Sequence, residues 1–153
     1  PSKTFNIAGL GAAMAIIPNP ALRQRFNRQR SGLVPPVDVL ALAAAHAAYR
    51  DGQAWLGELL DYLRANRDRV SQRINAMPGL QLQPIEATYL AWCDCSGLPV
   101  ENPHAFFEQA GVGLSPGLEF GNRHFVRLNF GCRRELLDKA LDRMEQAIAA
   151  LTP

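Results

Sequence analysis

The pattern of apolar residues changes its period at Met77-Pro78-Gly79, and that switch limits the chain to a mixed architecture. Before it, Trp55, Leu56, Leu59, Leu60, Leu63, Val70, Ile74 and Met77 recur at helical spacings, opposite a face carrying Glu58, Asp61, Arg64, Arg67 and Asp68. After it the spacing becomes two: Leu80 and Leu82, then Tyr89, Ala91 and Cys93 against Thr88, Leu90 and Trp92, with a break at Pro84. An all-helical bundle and an all-strand sandwich are both excluded. The reading is a long helix over 35–78 bridging two bodies, followed by a small α+β domain over 79–153.

The N-terminal part reads as one half of an α/β unit. Residues 11 to 17, GAAMAII, form an apolar run without alternation, which predicts a strand buried on both faces. Asn19-Pro20 is a cap followed by a proline at the first helical position, and the helix it opens runs to Gly32. After Pro35-Pro36 the alanine- and leucine-rich VDVLALAAAHAAYR predicts a helix, with Gly52 as a kink or interruption. Downstream, Asn102-Pro103 opens a short helix closed by Gly111, and VGLSPG and HFVRLNF are two further strands. The last segment places Leu136, Leu137, Ala140, Leu141, Met144, Ile148 and Leu151 on one helical face.

At 153 residues the chain can bury a core of its own, and its formal charge of +2 does not call for nucleic acid or membrane as partner. Three cysteines, Cys93, Cys95 and Cys132, are an odd number without disulfide-like spacing, which indicates a reducing compartment and hence the cytoplasm. There is no apolar run of about 18 residues and no signal-peptide pattern. A start on Pro1 suggests a processed chain or a fragment.

Lys3 and Arg127 are the first two candidates for chemistry. Lys3, flanked by apolar residues, is a candidate amine whose burial would free its lone pair for Schiff-base chemistry; the ordinary alternative is a surface lysine. In HFVRLNF, Val126, Leu128 and Phe130 face one way and Phe125, Arg127 and Asn129 the other, so the guanidinium leaves the core row and suits a bidentate grip on a carboxylate; the ordinary alternative is a solvated arginine on an exposed sheet face. Cys93-x-Cys95 lacks a second ligand pair, so no metal site is assigned and buried structural thiols are expected. His46, His104 and His124 are scattered and read as structural or surface residues. Arg23, Arg25, Arg28 and Arg30 read as a solvated face or a subunit contact, with nucleic acid the minor alternative.

SKTFNIAGL, AIIPN, TYLAWCDC, GVGLSPGLEFG and FVRLNFGC together resemble the C-terminal part of a fold-type I, pyridoxal-phosphate (PLP) dependent enzyme of the aminotransferase superfamily. The resemblance is to its cystathionine β-lyase-like (C–S lyase) branch and runs from residue 1 to about residue 140. It implies a strand and helix from a large PLP-binding domain over 1–34, then the bridging helix and the small domain. It further implies pyridoxal 5′-phosphate bound covalently by Lys3, Ser2 beside the cofactor phosphate, and Arg127 on the substrate α-carboxylate. Tyr89 and Asn6 fall near the site by motif, without assigned roles.

Two departures accompany the resemblance. Where many relatives carry a phosphate-binding arginine about eight residues after the lysine, this sequence has Gly11, a gap common in the lyase-like branch. The phosphate loop, the stacking aromatic and the aspartate on the pyridine nitrogen, which the superfamily places before the lysine, are not in this sequence. The isolated chain is therefore expected to have little or no activity. The function implied is α,β-elimination on sulfur amino acids, or amino transfer, by a homodimer with a small amino acid substrate; the alternative is a non-catalytic regulatory or interaction module.

Overall fold

The computed structural model describes residues 1–151, so the final two residues of the domain expected over 79–153 lie outside the described residues. The chain divides into two compact units, Pro1–Glu58 and Leu59–Pro153.

The first unit opens with a turn at the N-terminus and a 3₁₀ turn over Ala8–Leu10, followed by α1 (Pro20–Arg30) and α2 (Val39–Asp51). Both helix starts are capped by side chains: Asn19 accepts from the Leu22 amide at 3.1 Å, and Asp38 from the Leu40 amide at 2.7 Å. The expected strand at 11–17 is not formed. Those residues are irregular, with Met14 62% and Ile16 90% exposed. A strand needs a neighbour for its backbone groups, and among the described residues the first unit holds no other strand.

The long helix expected over 35–78 is two helices, α2 and α3 (Gln53–Ala76), separated at Gly52. Gly52 caps α2 by donating its amide to the Ala48 carbonyl at 2.9 Å. A Cβ there would come within 2.5 Å of that carbonyl oxygen and 3.0 Å of the Phe5 ring, so the absent side chain lets Phe5 dock against the helix end.

The second unit is a four-stranded antiparallel sheet with helices on one face. Its strands are β1 (Gln81–Leu82), β2 (Leu90–Asp94), β3 (Ser115–Pro116) and β4 (Phe125–Asn129), in the spatial order β1-β2-β4-β3. The predicted alternation holds: Ala91, Cys93, Val126, Leu128 and Phe130 are buried, packed with Val70 and Ile74 of α3, Phe107 of α4 (Pro103–Gln109) and Leu137, Leu141, Met144 and Ile148 of α5 (Arg134–Ala149). Leu136, expected on the buried face of α5, is 61% exposed, because the adjacent Leu137 takes the core-facing position and one residue is about 100° of helical turn away. The opposite sheet face carries Trp92, Ser115 and Arg127.

Among the described residues, one polar residue lies in this core. Asn66, on the buried row of α3, is fully enclosed; its amide nitrogen donates to the carbonyls of Phe130 at 3.0 Å and Cys132 at 3.1 Å, and its oxygen accepts from Arg134 Nε at 3.2 Å. A turn earlier, Tyr62 Oη accepts the first amide of α5, that of Arg134, at 2.7 Å. Asn66→Ala leaves the buried Phe130 carbonyl and the partly buried Cys132 carbonyl without this donor and opens a void, and is expected to cost about 2–4 kcal/mol. Urea denaturation followed by far-UV circular dichroism measures the loss.

Candidate active site

Lys3 belongs to the first unit and Arg127 to the second, and each is built on its own scaffold. Around Lys3, the Phe5 amide donates to the Pro1 carbonyl at 2.9 Å and the Ile7 amide to the Ser2 carbonyl at 3.2 Å, closing a tight turn. The Ser2 hydroxyl donates to the Ala12 carbonyl at 3.3 Å, drawing the loop after the 3₁₀ turn back onto it. Phe5 anchors the turn: its buried ring lies edge-on to Tyr49 with centroids 5.3 Å apart and rests on Gly52. Lys3 itself is exposed and, among the described residues, joins no ion pair. The interior environment expected for its amine is not supplied by this chain.

Asn6 takes a left-handed backbone, φ 53°. Gly11 does so too, with φ 69°, and closes the 3₁₀ turn; a side chain at that position would impose backbone strain.

Arg127 sits mid-strand on β4, half-buried, on the face away from the core. Its cross-strand partners are Trp92 on β2 and Ser115 on β3. Directly opposed residues of an antiparallel pair share a face, so the three side chains form one row. Arg127 Nη2 donates to Ser115 Oγ at 3.1 Å, and its guanidinium carbon lies 4.5 Å from the centroid of the Phe120 ring. Among the described residues no carboxylate pairs with it, although eight other ion pairs form. A fixed guanidinium without a counter-ion keeps N–H donors available to an anion, and its planar fork has the geometry for a bidentate pair with a carboxylate.

The sequence reading missed the supporting residues. Ser115 and Phe120 lie inside the GVGLSPGLEFG stretch without an assigned role, and Asn66 was passed over although it falls on the helical row between Leu63 and Val70. An amide at that spacing was the available signal.

Arg23, Arg25, Arg28 and Arg30 are all exposed on α1, and Arg23 donates to the Ile17 carbonyl at 2.8 Å. His46 and His124 are exposed and His104 is half-buried. Among the described residues no cluster of histidine, cysteine, aspartate or glutamate could hold a metal, and no helix is long and apolar enough to cross a membrane. Cys93 and Cys95 are buried, as expected of structural thiols.

A family model of the class I and II aminotransferases matches residues 1–144. The chain belongs to this family. It is 40% identical to Protein MalY of Escherichia coli (strain K12) over 98% of its own length, and 35% identical to cystathionine beta-lyase PatB of Bacillus subtilis (strain 168) over 97%. Among solved structures, it is similar to OvoB (59% identity, TM-score 0.94, 98% of this chain) and to the PLP-bound C–S lyase of Staphylococcus hominis (30% identity, TM-score 0.82, 97% of this chain). The chain spans 40% of the length of each of these four proteins. These likenesses bear out the fold-type I reading and the lyase-like branch. They lend no support to the alternative of a non-catalytic module.

The buried thiols give this fold an alkaline limit. Burial pushes Cys93 and Cys95 up to about 12 from the usual 9.0. The unfolded chain therefore loses these protons before the folded one, so stability is full below pH 9 and falls between about pH 9 and 12. The slope reaches about 1.4 kcal/mol per pH unit for each thiol. Denaturation midpoints at pH 7.5 and 10.5, compared with Cys93→Ala and Cys95→Ala, are expected to show the alkaline loss in the native sequence and a smaller one in each variant.

Proposed function

We propose that this chain is the C-terminal part of a PLP-dependent C–S lyase that eliminates the thiol from a sulfur amino acid. The observation that carries the reading is Arg127, fixed on a strand by a hydroxyl and an aromatic face with its charge uncompensated. Relatives named as a cystathionine beta-lyase and a C–S lyase support the choice of reaction. The donors of the first unit fit the cofactor in part. Lys3 presents an accessible amine and Ser2 a hydroxyl one residue away, while no acidic residue precedes Asp38, so a partner for the ring nitrogen would come from outside residues 1–37.

PLP, when bound, supplies the electron sink for bond cleavage at the substrate Cα. Lys3 would hold it covalently through Nζ, with Ser2 toward its phosphate. Arg127 would grip the substrate carboxylate with two parallel N–H donors and fix the orientation of Cα. Lys3 Nζ, once freed, would accept the Cα proton. Cleavage of the Cβ–S bond then expels a thiolate, and water completes the conversion of the remaining fragment to pyruvate and ammonia.

In this reading, residues 1–34 belong to a large cofactor-binding domain, 35–78 bridge to the small domain, and 79–153 form it. The intact protein works in the reducing cytoplasm as a dimer, and the isolated chain is inactive or nearly so.

The test uses the intact protein loaded with PLP. Borohydride is expected to fix the cofactor to Lys3, and Lys3→Ala to abolish both that adduct and turnover. Cystathionine is expected to yield pyruvate; amino transfer without release of pyruvate from cystathionine would replace the lyase reading with an aminotransferase. Arg127→Ala is expected to lower kcat/KM about a hundredfold, the scale of losing a charge-assisted pair, with Arg127→Lys intermediate. An unchanged kcat/KM in Arg127→Ala would remove its assigned role.

A further inference from the structure

We propose that Ser115 and Phe120, presented by the turn SPGLEFG, are positioning residues that immobilise Arg127 before any ligand arrives. The proposal deepens the reading of Arg127 as the carboxylate-binding residue and rests on it for its purpose, though not for its geometry.

An arginine side chain has many rotamers, and a ligand that must first order it loses affinity to that entropy. Arg127 is ordered from two directions. Ser115 Oγ, one strand over, accepts a single N–H from Nη2 at 3.1 Å. Phe120 lies against the guanidinium, 4.5 Å from ring centroid to Cζ. Both partners are neutral, so they orient the cation without cancelling its charge, which a carboxylate partner would do. A guanidinium carries five N–H donors. One is used by Ser115, and among the described residues the others have no acceptor, leaving more than the two a carboxylate needs.

Phe120 is held in turn. Trp92 meets it edge-on, with centroids 5.6 Å apart and planes at 85°, and Trp92 is stacked on Phe125 at 5.2 Å and 20°. The turn beneath depends on two glycines. A Cβ on Gly117 would collide with the carbonyl oxygens of Phe125 and Asn122, and Gly121 has φ 89°, a conformation that side chains disfavour. The Asn122 amide closes the turn onto the Gly117 carbonyl at 3.0 Å. A tightly folded and otherwise unexplained turn thus ends with an aromatic ring over Arg127. Its neighbour Leu118 points into solvent, 72% exposed.

The experiment uses the 153-residue chain and follows the Arg127 Nε–H resonance by ¹⁵N NMR, assigned through its loss in Arg127→Lys. Side-chain order is read from relaxation, and carboxylate binding from titration with propionate, with propionamide as the neutral control. Ser115→Ala and Phe120→Leu are each expected to lower the order of Arg127 and weaken propionate binding about tenfold, the scale of one lost polar or cation–π contact. Ser115→Thr and Phe120→Tyr are expected to restore both. Leu118→Ala, in the same turn, is expected to change neither, which separates the clamp from general disturbance of the fold. An Arg127 equally ordered in Ser115→Ala and Phe120→Leu would overturn the proposal, as would one loosened equally by Leu118→Ala. If the native chain ignores propionate while Ser115→Ala and Phe120→Leu still loosen Arg127, the carboxylate reading fails and the clamp stands.

Discussion

The buried amide of Asn66 fixes where α3 meets the segment joining β4 to α5, and the second unit is organised around that junction. Helix against sheet packing by apolar side chains is tolerant of sliding, since one methyl group is much like another. A hydrogen-bonded amide is not, because its donors find the carbonyls of Phe130 and Cys132 in only one register. Phe130 follows β4 directly, so the same bonds set the strand along which Arg127 is displayed. The core around Asn66 supplies the burial that makes those bonds specific, and Tyr62 and Arg134 extend the junction to the first turn of α5.

Most of the second unit was legible because its elements carry their own punctuation. Asn102-Pro103 and Gly111 bracket α4, Met77-Pro78-Gly79 ends α3, and the alternation in FVRLN separates the buried Val126 and Leu128 from the outward-facing residues, as the structure has them. The first unit was less legible for a physical reason. GAAMAII has the composition of a doubly buried strand, but composition cannot supply the neighbouring strands that such a segment must bond to. Gly52 was marked as a break without its cause, which is tertiary: the Phe5 ring needs the space, and the two residues are 47 apart in sequence.

Arg127 stood out because a strand has only two faces, and the core occupied the other one. Lys3 depended on resemblance, since a lone lysine in a turn has no local signature. Its exposure adds none within this chain. The residues around Arg127 escaped notice because their proximity comes from pairing: Ser115 is 12 residues away in sequence and yet directly opposite in register. Local patterns show which way a side chain points. They do not show what stands beside it.

The α3–α5 contact has a charged rim outside its neutral centre: Arg69 pairs with Asp138, and Arg73 with Asp142 at 2.8 Å and Glu145 at 2.6 Å. These pairs are partly open to water, where dissolved ions weaken them, whereas the Asn66 amide donates to the backbone carbonyls of Phe130 and Cys132, neutral groups that such screening affects far less. Rising ionic strength therefore loosens the edge of the contact and leaves its register alone. In brine as in dilute buffer, the strand that displays Arg127 stays anchored at the same carbonyls.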